Sequence, residues 1–320
     1  MPTGAPATRS GTHAQPLTRE WSPPYPVDVP LILSVHRRGT RDPAYRADPS
    51  GAVWRTALTP EGPGTLRVVA GPAPDGGTRV TATAWGPGAS WLAETLPALL
   101  GAHDDQDGFV PVHPMLRQLS GRHPGARVGR SGRVLEALIP AILEQKVVGA
   151  EARRAWHYLL HRFGQPAPGP APDGMRVVPG AGTWARIPSW EWHRAGVEAV
   201  RARTIAAAAR AAARLEEITT MAAADADRRL RSLPGVGPWT SAEVRQRACG
   251  DADAVSVGDY HLPAVVGWAL AGQIVDDAGM LRLLAPYAGH RYRATRLIEL
   301  SGQGPPRRGP RLAVRDHRRF

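Results

Sequence analysis

The sequence predicts a mostly helical protein with an N-terminal α+β domain, a small antiparallel sheet followed by an all-helical core. Three observations predict this. Residues 53–58, 66–70 and 78–85 alternate in polarity or carry β-branched side chains, with Glu61-Gly62-Pro63-Gly64 and Pro74-Asp75-Gly76-Gly77 as turns between them. From about residue 112 the apolar spacing shifts to a helical period. Two glycines one residue apart, Gly235 and Gly237, then separate two helical stretches.

Taken in order, residues 1–20 read as a flexible leader, and 27–35 as a short helix or strand of ambiguous period. The three strands follow as hairpins, and 90–100 reads as a helix packed on them. Residues 134–148 place Leu135, Leu138, Ile139, Ile142 and Leu143 on one stripe, the pattern of a core-facing helix. Further helices are expected at 150–163, 190–196, 200–215, 224–232, 260–270 and 283–301, with a Pro/Gly-rich loop at 164–182. The tail, 303–320, holds six arginines and three prolines and reads as mobile and basic. The domain division is therefore 1–20, 21–125, 126–302 and 303–320. No internal repeat is visible.

Hydrophobic residues make up 42% of 320, enough to bury two ordinary cores. Gly 35 and Pro 32, beside abundant Ala and Arg, reflect a GC-rich coding bias, so one isolated Gly or Pro is not a signal. The net charge of +12 favours a polyanionic partner, nucleic acid before membrane. The basic side chains are nearly all arginine, and Lys146 is the single lysine. The lone Cys249 excludes a disulfide framework, a cysteine-ligated iron–sulfur cluster and a cysteine-based structural zinc site. Neither a signal-peptide core nor a run near ~20 apolar residues occurs, so a soluble, intracellular protein is expected.

The most specific segment is Leu233-Pro234-Gly235-Val236-Gly237-Pro238-Trp239-Thr240, between a helix ending near Ser232 and one beginning near Trp239. Such a hairpin presents backbone amides, unobstructed by side chains, at a helix start, which suits a phosphate. Val236 is expected to anchor it in the core. A bare Gly-x-Gly on its own is simply a turn. Further on, an apolar segment ends at Gly258-Asp259 and a new helix starts behind it. Alone, Asp259 is most simply an N-cap.

Together these segments resemble the helix-hairpin-helix, glycine/proline-rich loop, aspartate superfamily of DNA glycosylases, in its 3-methyladenine DNA glycosylase II (AlkA-like) branch. The resemblance runs over roughly residues 25–300. Ala141 to Val147 is similar to that branch's helix reaching the DNA minor groove, and His113 to Gly125 to its domain junction. It implies an all-helical glycosylase core behind the small sheet domain, and double-stranded DNA with a damaged base as partner. It also implies a cytoplasmic, nucleoid-associated bacterial monomer with no membrane role.

The resemblance puts Asp259 on the catalytic aspartate, where a carboxylate steadies the oxocarbenium-like transition state of base loss and orients water. Trp239 stands where bifunctional members carry a nucleophilic lysine, which implies a monofunctional hydrolase without lyase activity. Trp239 and Tyr260 match pocket aromatics that stack on a flipped, cationic base. Gly235, Gly237, Thr240, Gln145 and Lys146 are the implied DNA contacts; Arg245 and Arg247 on the following helix are either added phosphate contacts or a plain solvated face. No cofactor is required, but a Na+ or K+ is implied on the backbone carbonyls of Arg231, Leu233 and Val236. Three positions depart from the pattern. Lys146 occupies the minor-groove wedge position, His290 replaces a pocket tryptophan, and Glu243 replaces a pocket tyrosine. Alkylated purines are the expected lesion, and oxidised, deaminated or bulky bases, or non-catalytic damage binding, are the alternatives.

Overall fold

A computed structural model describes residues 15–74 and 76–306. The expectations for residues 1–14, Asp75 and 307–320, which include most of the leader and of the basic tail, lie outside the described residues.

Strands β1 (Leu17–Trp21), β2 (Tyr45–Ala47), β3 (Val53–Thr59), β4 (Gly62–Pro72) and β5 (Thr78–Trp85) form one antiparallel sheet in the order β1-β5-β4-β3-β2. The three sequence-predicted strands are its centre. Residues 17–20, assigned above to the leader, instead belong to β1, with Leu17 opposite Ala84 and Trp21 opposite Val80. This edge strand is held by backbone pairing and buries little, so hydrophobic patterning misses it.

Helix α1 (Val29–Leu33) resolves the ambiguity at 27–35: the Asp28 side chain accepts the Leu31 N–H at 2.9 Å and caps it. The helix expected at 90–100 is two, α2 (Ala89–Glu94) and α3 (Leu96–Leu99). Pro97 lacks an N–H and would crowd the carbonyl one turn back, so one continuous helix cannot form. Helices α1 to α3 cover one sheet face, packing Ile32, Leu33, Leu92 and Leu96 against Val53, Leu66, Val68 and Val80.

The rest is helical: α4 (Pro114–Arg122), α5 (Val134–Leu143), α6 (Gly149–Phe163), α7 (Ala181–Arg186), α8 (Ser189–Ala195), α9 (Ala199–Arg210), α10 (Ala212–Glu216), α11 (Ala223–Arg231), α12 (Pro238–Val244), α13 (Leu262–Ala271), α14 (Asp277–Leu284) and α15 (Arg291–Leu300). A short ribbon, β6 (Gln165–Pro166) with β7 (Arg176–Val177), lies in what was read as plain loop. The stretch 283–301 is not one helix, because Pro286 and Gly289 at φ +87 separate α14 from α15. Likewise α5 stops at Leu143 rather than running on to 148.

Two helical cores result. One surrounds α5 with side chains of α6 to α12, including Trp156, Leu159, Trp184, Ile205 and Val244. The other gathers Leu116 and Leu119 of α4 with Val266, Met280, Leu284 and Leu297 of α13 to α15. So α4 packs on the far C-terminal helices, although it precedes the expected division at 125. The second face of the sheet meets the α5 core. Glu136 of α5 accepts from Arg55 (2.9 Å) and from the Leu58 N–H (2.7 Å), which is why β3 is buried on both faces.

A buried ion pair fixes the C-terminal core to the linker. Arg293 donates twice to Asp104, at 2.5 and 2.9 Å, and Asp104 also accepts the Val128 N–H at 2.9 Å. Both side chains are at most 5% exposed. Replacing Arg293 by Met strands the carboxylate, and an unfolding free energy lower by about 3–5 kcal/mol is expected in urea titrations.

Candidate active site

The site is built on the turn between α11 and α12. Val236 is buried in the α5 core, as expected of the hairpin's anchor. The turn closes through Val236 N–H to the Leu233 carbonyl (3.1 Å) and Ser241 N–H to the Gly237 carbonyl (3.0 Å). Gly235 has φ +88, and a Cβ there would lie 2.3 Å from Thr204 Oγ1 on α9. Only glycine satisfies both constraints. Gly237 differs: a Cβ there would meet nothing within 4 Å, so glycine leaves the start of α12 uncovered. The first amides of a helix have no intrahelical partner, and here they border that open side.

Two braces hold the hairpin. From the turn after α5, Gln145 donates to the Gly235 carbonyl (2.9 Å) and to Thr240 Oγ1 (2.8 Å). From within, Asp227 of α11 accepts the Ser241 hydroxyl of α12 at 2.7 Å. Next to Gln145, Lys146 is exposed at φ +53, the single non-glycine residue with positive φ among those described. That left-handed conformation is disfavoured for a side-chain-bearing residue and turns the chain sharply from α5 into α6.

Asp259 lies beside the hairpin. Its Oδ2 accepts the Trp239 indole N–H at 3.0 Å, and its Oδ1 accepts the backbone N–H groups of His261 (2.8 Å) and Leu262 (2.9 Å) at the start of α13. It is half-buried and, among the described residues, in no salt bridge. The N-cap of α13 is His261 rather than Asp259, yet the Asp259 carboxylate still takes up two amides at the helix start. Both lone pairs of Oδ1 are taken, whereas Oδ2 keeps one for a further donor. The loop is tied down on each side. Gln246 donates to the Ala254 carbonyl (2.8 Å) and Ser256 Oγ (3.0 Å), Ser256 donates to Glu243 (2.7 Å), and Asp277 accepts the Gly258 N–H (3.1 Å). Tyr260 is 81% exposed, edge-on to His261 at 4.8 Å, and offers a free ring face next to the carboxylate.

Five predicted positions do other work. Thr240 is buried, and its hydroxyl accepts from Gln145 within the protein. Arg245, also read as a DNA contact, is paired with Asp251 and lies 3.8 Å from Asp227. Glu243 does not line an open pocket; its carboxylate is bonded to Ser256 and to Arg247 (2.8 Å). This also withdraws Arg247 from phosphate contact, its Nε donating to the Val35 carbonyl. His290 contacts Phe109 at 5.8 Å and accepts from Arg293 Nε at 3.3 Å; these contacts are not with Asp259 or Trp239. Burial, then Arg293, holds its imidazole below the ordinary range. Burial pushes the Cys249 thiol up to about 11, which removes it as a nucleophile. The residues that reasoning missed are positioning ones: Thr204, Asp227, Gln246 and Asp277. Asp277 alone had a signal, in the Asp276-Asp277 pair opening a helix.

No family model matches the chain. Over 170 residues it is 29% identical to a Mycobacterium tuberculosis protein described as a probable bifunctional transcriptional activator/DNA repair enzyme AlkA, a match covering 51% of the chain. The match takes in 34% of that relative, so the chain spans about a third of the length of the curated relatives it matches. Among solved structures it superposes on the 3-methyladenine DNA glycosylase of Archaeoglobus fulgidus with a TM-score of 0.69 at 16% identity, covering 88% of this chain and 97% of that one. The Clostridium acetobutylicum 8-oxoguanine glycosylase/lyase, bound to duplex DNA with cytosine opposite 8-oxoguanine, gives 0.62 at 11% identity, covering 87% and 93%.

The glycine geometry separates two variants. Gly235→Ala combines a left-handed backbone with the Thr204 contact and is expected to destabilise by about 1–3 kcal/mol. Gly237→Ala is expected to stay within about 0.5 kcal/mol of wild type, both variants being compared by thermal melts.

Proposed function

We propose that this chain, which has the fold of the helix-hairpin-helix DNA glycosylases, is a monofunctional DNA N-glycosylase that flips out an alkylated purine and hydrolyses its bond to the sugar. The observation that carries the proposal is the Asp259 carboxylate, unpaired with any described cation and oriented by three hydrogen bonds beside the hairpin. The bifunctional name of the Clostridium structural neighbour keeps lyase chemistry in view; the side chain at position 239 argues against it here.

On this reading the hairpin amides grip a phosphate on the 3′ or 5′ side of the lesion and draw the sugar over Asp259. The purine departs from an oxocarbenium-like sugar, and the fixed negative charge steadies that cation without reorganising. The remaining lone pair of Oδ2 accepts a proton of the attacking water and aims it at the anomeric carbon. An alkylated purine already carries positive charge and leaves readily, so no separate acid is needed. Trp239, held by its own N–H, and exposed Tyr260 supply ring faces for the cationic base. A Na+ or K+ at the hairpin would be held by the carbonyls of Arg231, Leu233 and Val236. Its chemistry would be added positive charge next to the phosphate. The Leu233 oxygen already accepts the Val236 N–H and keeps a second lone pair for it. A cytoplasmic, nucleoid-associated monomer completes the reading.

Base release from methylated duplex DNA, with the freed bases identified by mass, tests this. Wild type is expected to release alkylated purines. Asp259→Asn should lose roughly 10²–10³ in rate while still binding abasic-site DNA. A variant as active as wild type would leave Asp259 a structural carboxylate only, and a wild type that releases no base would leave a damage-binding protein. The product strand is expected to stay intact until alkali is added, and borohydride trapping of a protein–DNA adduct would contradict the monofunctional assignment.

A further inference from the structure

Helix α6 starts directly behind the turn that carries Gln145 and Lys146 and runs away from the hairpin. One edge of it carries Arg153, His157 and His161 at intervals of four, which a helix stacks in a single row. Arg153 and His157 are exposed and His161 half-exposed. The two imidazoles sit 4.3 Å apart. The loop before β2 flanks this row. Gly39 packs on the Arg153 side chain, where a Cβ would be 2.4 Å from its Cδ. Arg41 and Arg46 are close enough that, after burial, they hold His157 below its ordinary range, and His157, Arg176 and Arg46 do the same to His161.

A solvated helical face normally alternates its charges. This row does not. Glu151, on the same helix, is buried. Asp42 beneath the patch is 1% exposed and accepts from Arg38 N–H (2.6 Å), Ala44 N–H (2.9 Å) and Trp156 Nε1 (2.9 Å). Glu144 is paired with Arg38. Among the described residues none of Arg41, Arg46 or Arg153 joins a salt bridge. Arg46 donates to the Asp42 carbonyl (2.9 Å), but none of the three guanidinium groups is neutralised by a described carboxylate, so positive charge accumulates on a surface next to the turn that braces the hairpin.

We propose that this edge of α6, with Arg41 and Arg46, is a phosphate track that carries the duplex on one side of the extruded nucleotide. It rests on the reading that the substrate is duplex DNA. From Gly149 to His161 the helix rises about 18 Å, the length of about five base pairs. The footprint is therefore asymmetric about the lesion.

The test uses two duplexes with a stable tetrahydrofuran abasic analogue, one with about twelve base pairs on the 5′ side and about four on the 3′ side, the other reversed. Fluorescence anisotropy should show wild type binding one of them several-fold more tightly, with a steeper salt dependence. The triple variant R41A/R46A/R153A should lose that preference and flatten the log–log salt slope by about 2–3 on the favoured duplex. Equal affinity of wild type for both duplexes, or a triple variant that keeps preference and slope, overturns the proposal. If circular dichroism shows the triple variant misfolded, Arg153→Gln alone should flatten the slope by about one on the favoured duplex, and no change there overturns it equally. Because the analogue cannot be cleaved, a wild type that releases no base would sink the glycosylase reading and leave this comparison decisive.

Discussion

Helix α5 is buried along all of its length except at Glu136, and that one charged side chain is bonded to Arg55 and the Leu58 N–H of the sheet. A helix apolar all round must stand at the centre of its fold. Its two ends are then secured from elsewhere. Glu216 accepts the Val134 and Leu135 N–H groups at the start (2.9 and 3.1 Å), and Arg201 of α9 donates to the Leu143 carbonyl at the end (2.9 Å). The turn that follows is therefore fixed in space, and with it Gln145. The hairpin inherits its position from Gln145 on one side and from Thr204, one turn along α9 from Arg201, on the other. Burial pushes the Glu136 carboxyl up and Arg55 pulls it back, and the bonds of Glu136 to Arg55 and the Leu58 N–H tie the sheet to α5.

The same rigidity reaches the Asp259 carboxylate by a short route. Trp239 is in the first turn of α12, so fixing the hairpin fixes the indole N–H, and the indole fixes Asp259 Oδ2. The amides of His261 and Leu262 at the start of α13 fix the other oxygen. A carboxylate held in this way cannot turn, so in the proposed reaction it meets the sugar cation in the orientation it already has. Such preorganisation makes an electrostatic partner effective, because no free energy is lost in reorienting it during the reaction.

Much of this was legible in the residues, and the rest fails for physical reasons. The alternation in 53–85 revealed the central strands because one face of each packs on α1 to α3. The Gly-Val-Gly hairpin and Asp259 were legible because turn chemistry and helix capping are local. Arg245, Arg247 and Glu243 were misread since their partners, Asp251, Val35 and Ser256, meet them only through the π-helical turn at Arg245–Cys249 and the fold around it. The apolar stripe of 134–148 continued past Leu143 in composition, but Lys146 at φ +53 shows that the chain had already turned. The edge strand β1 buries too little to leave a pattern.

The central claim is that a fixed negative charge at Asp259 meets a positive sugar. It is tested most directly by binding, without catalysis. Duplexes carrying a cationic pyrrolidine in place of the sugar, or its neutral tetrahydrofuran counterpart, are to be compared for wild type and Asp259→Asn by competition at fixed salt. A transition-state-like charge should be bound preferentially by wild type, and the Asn variant should bind the two duplexes alike. A pyrrolidine preference undiminished in Asp259→Asn would contradict the account.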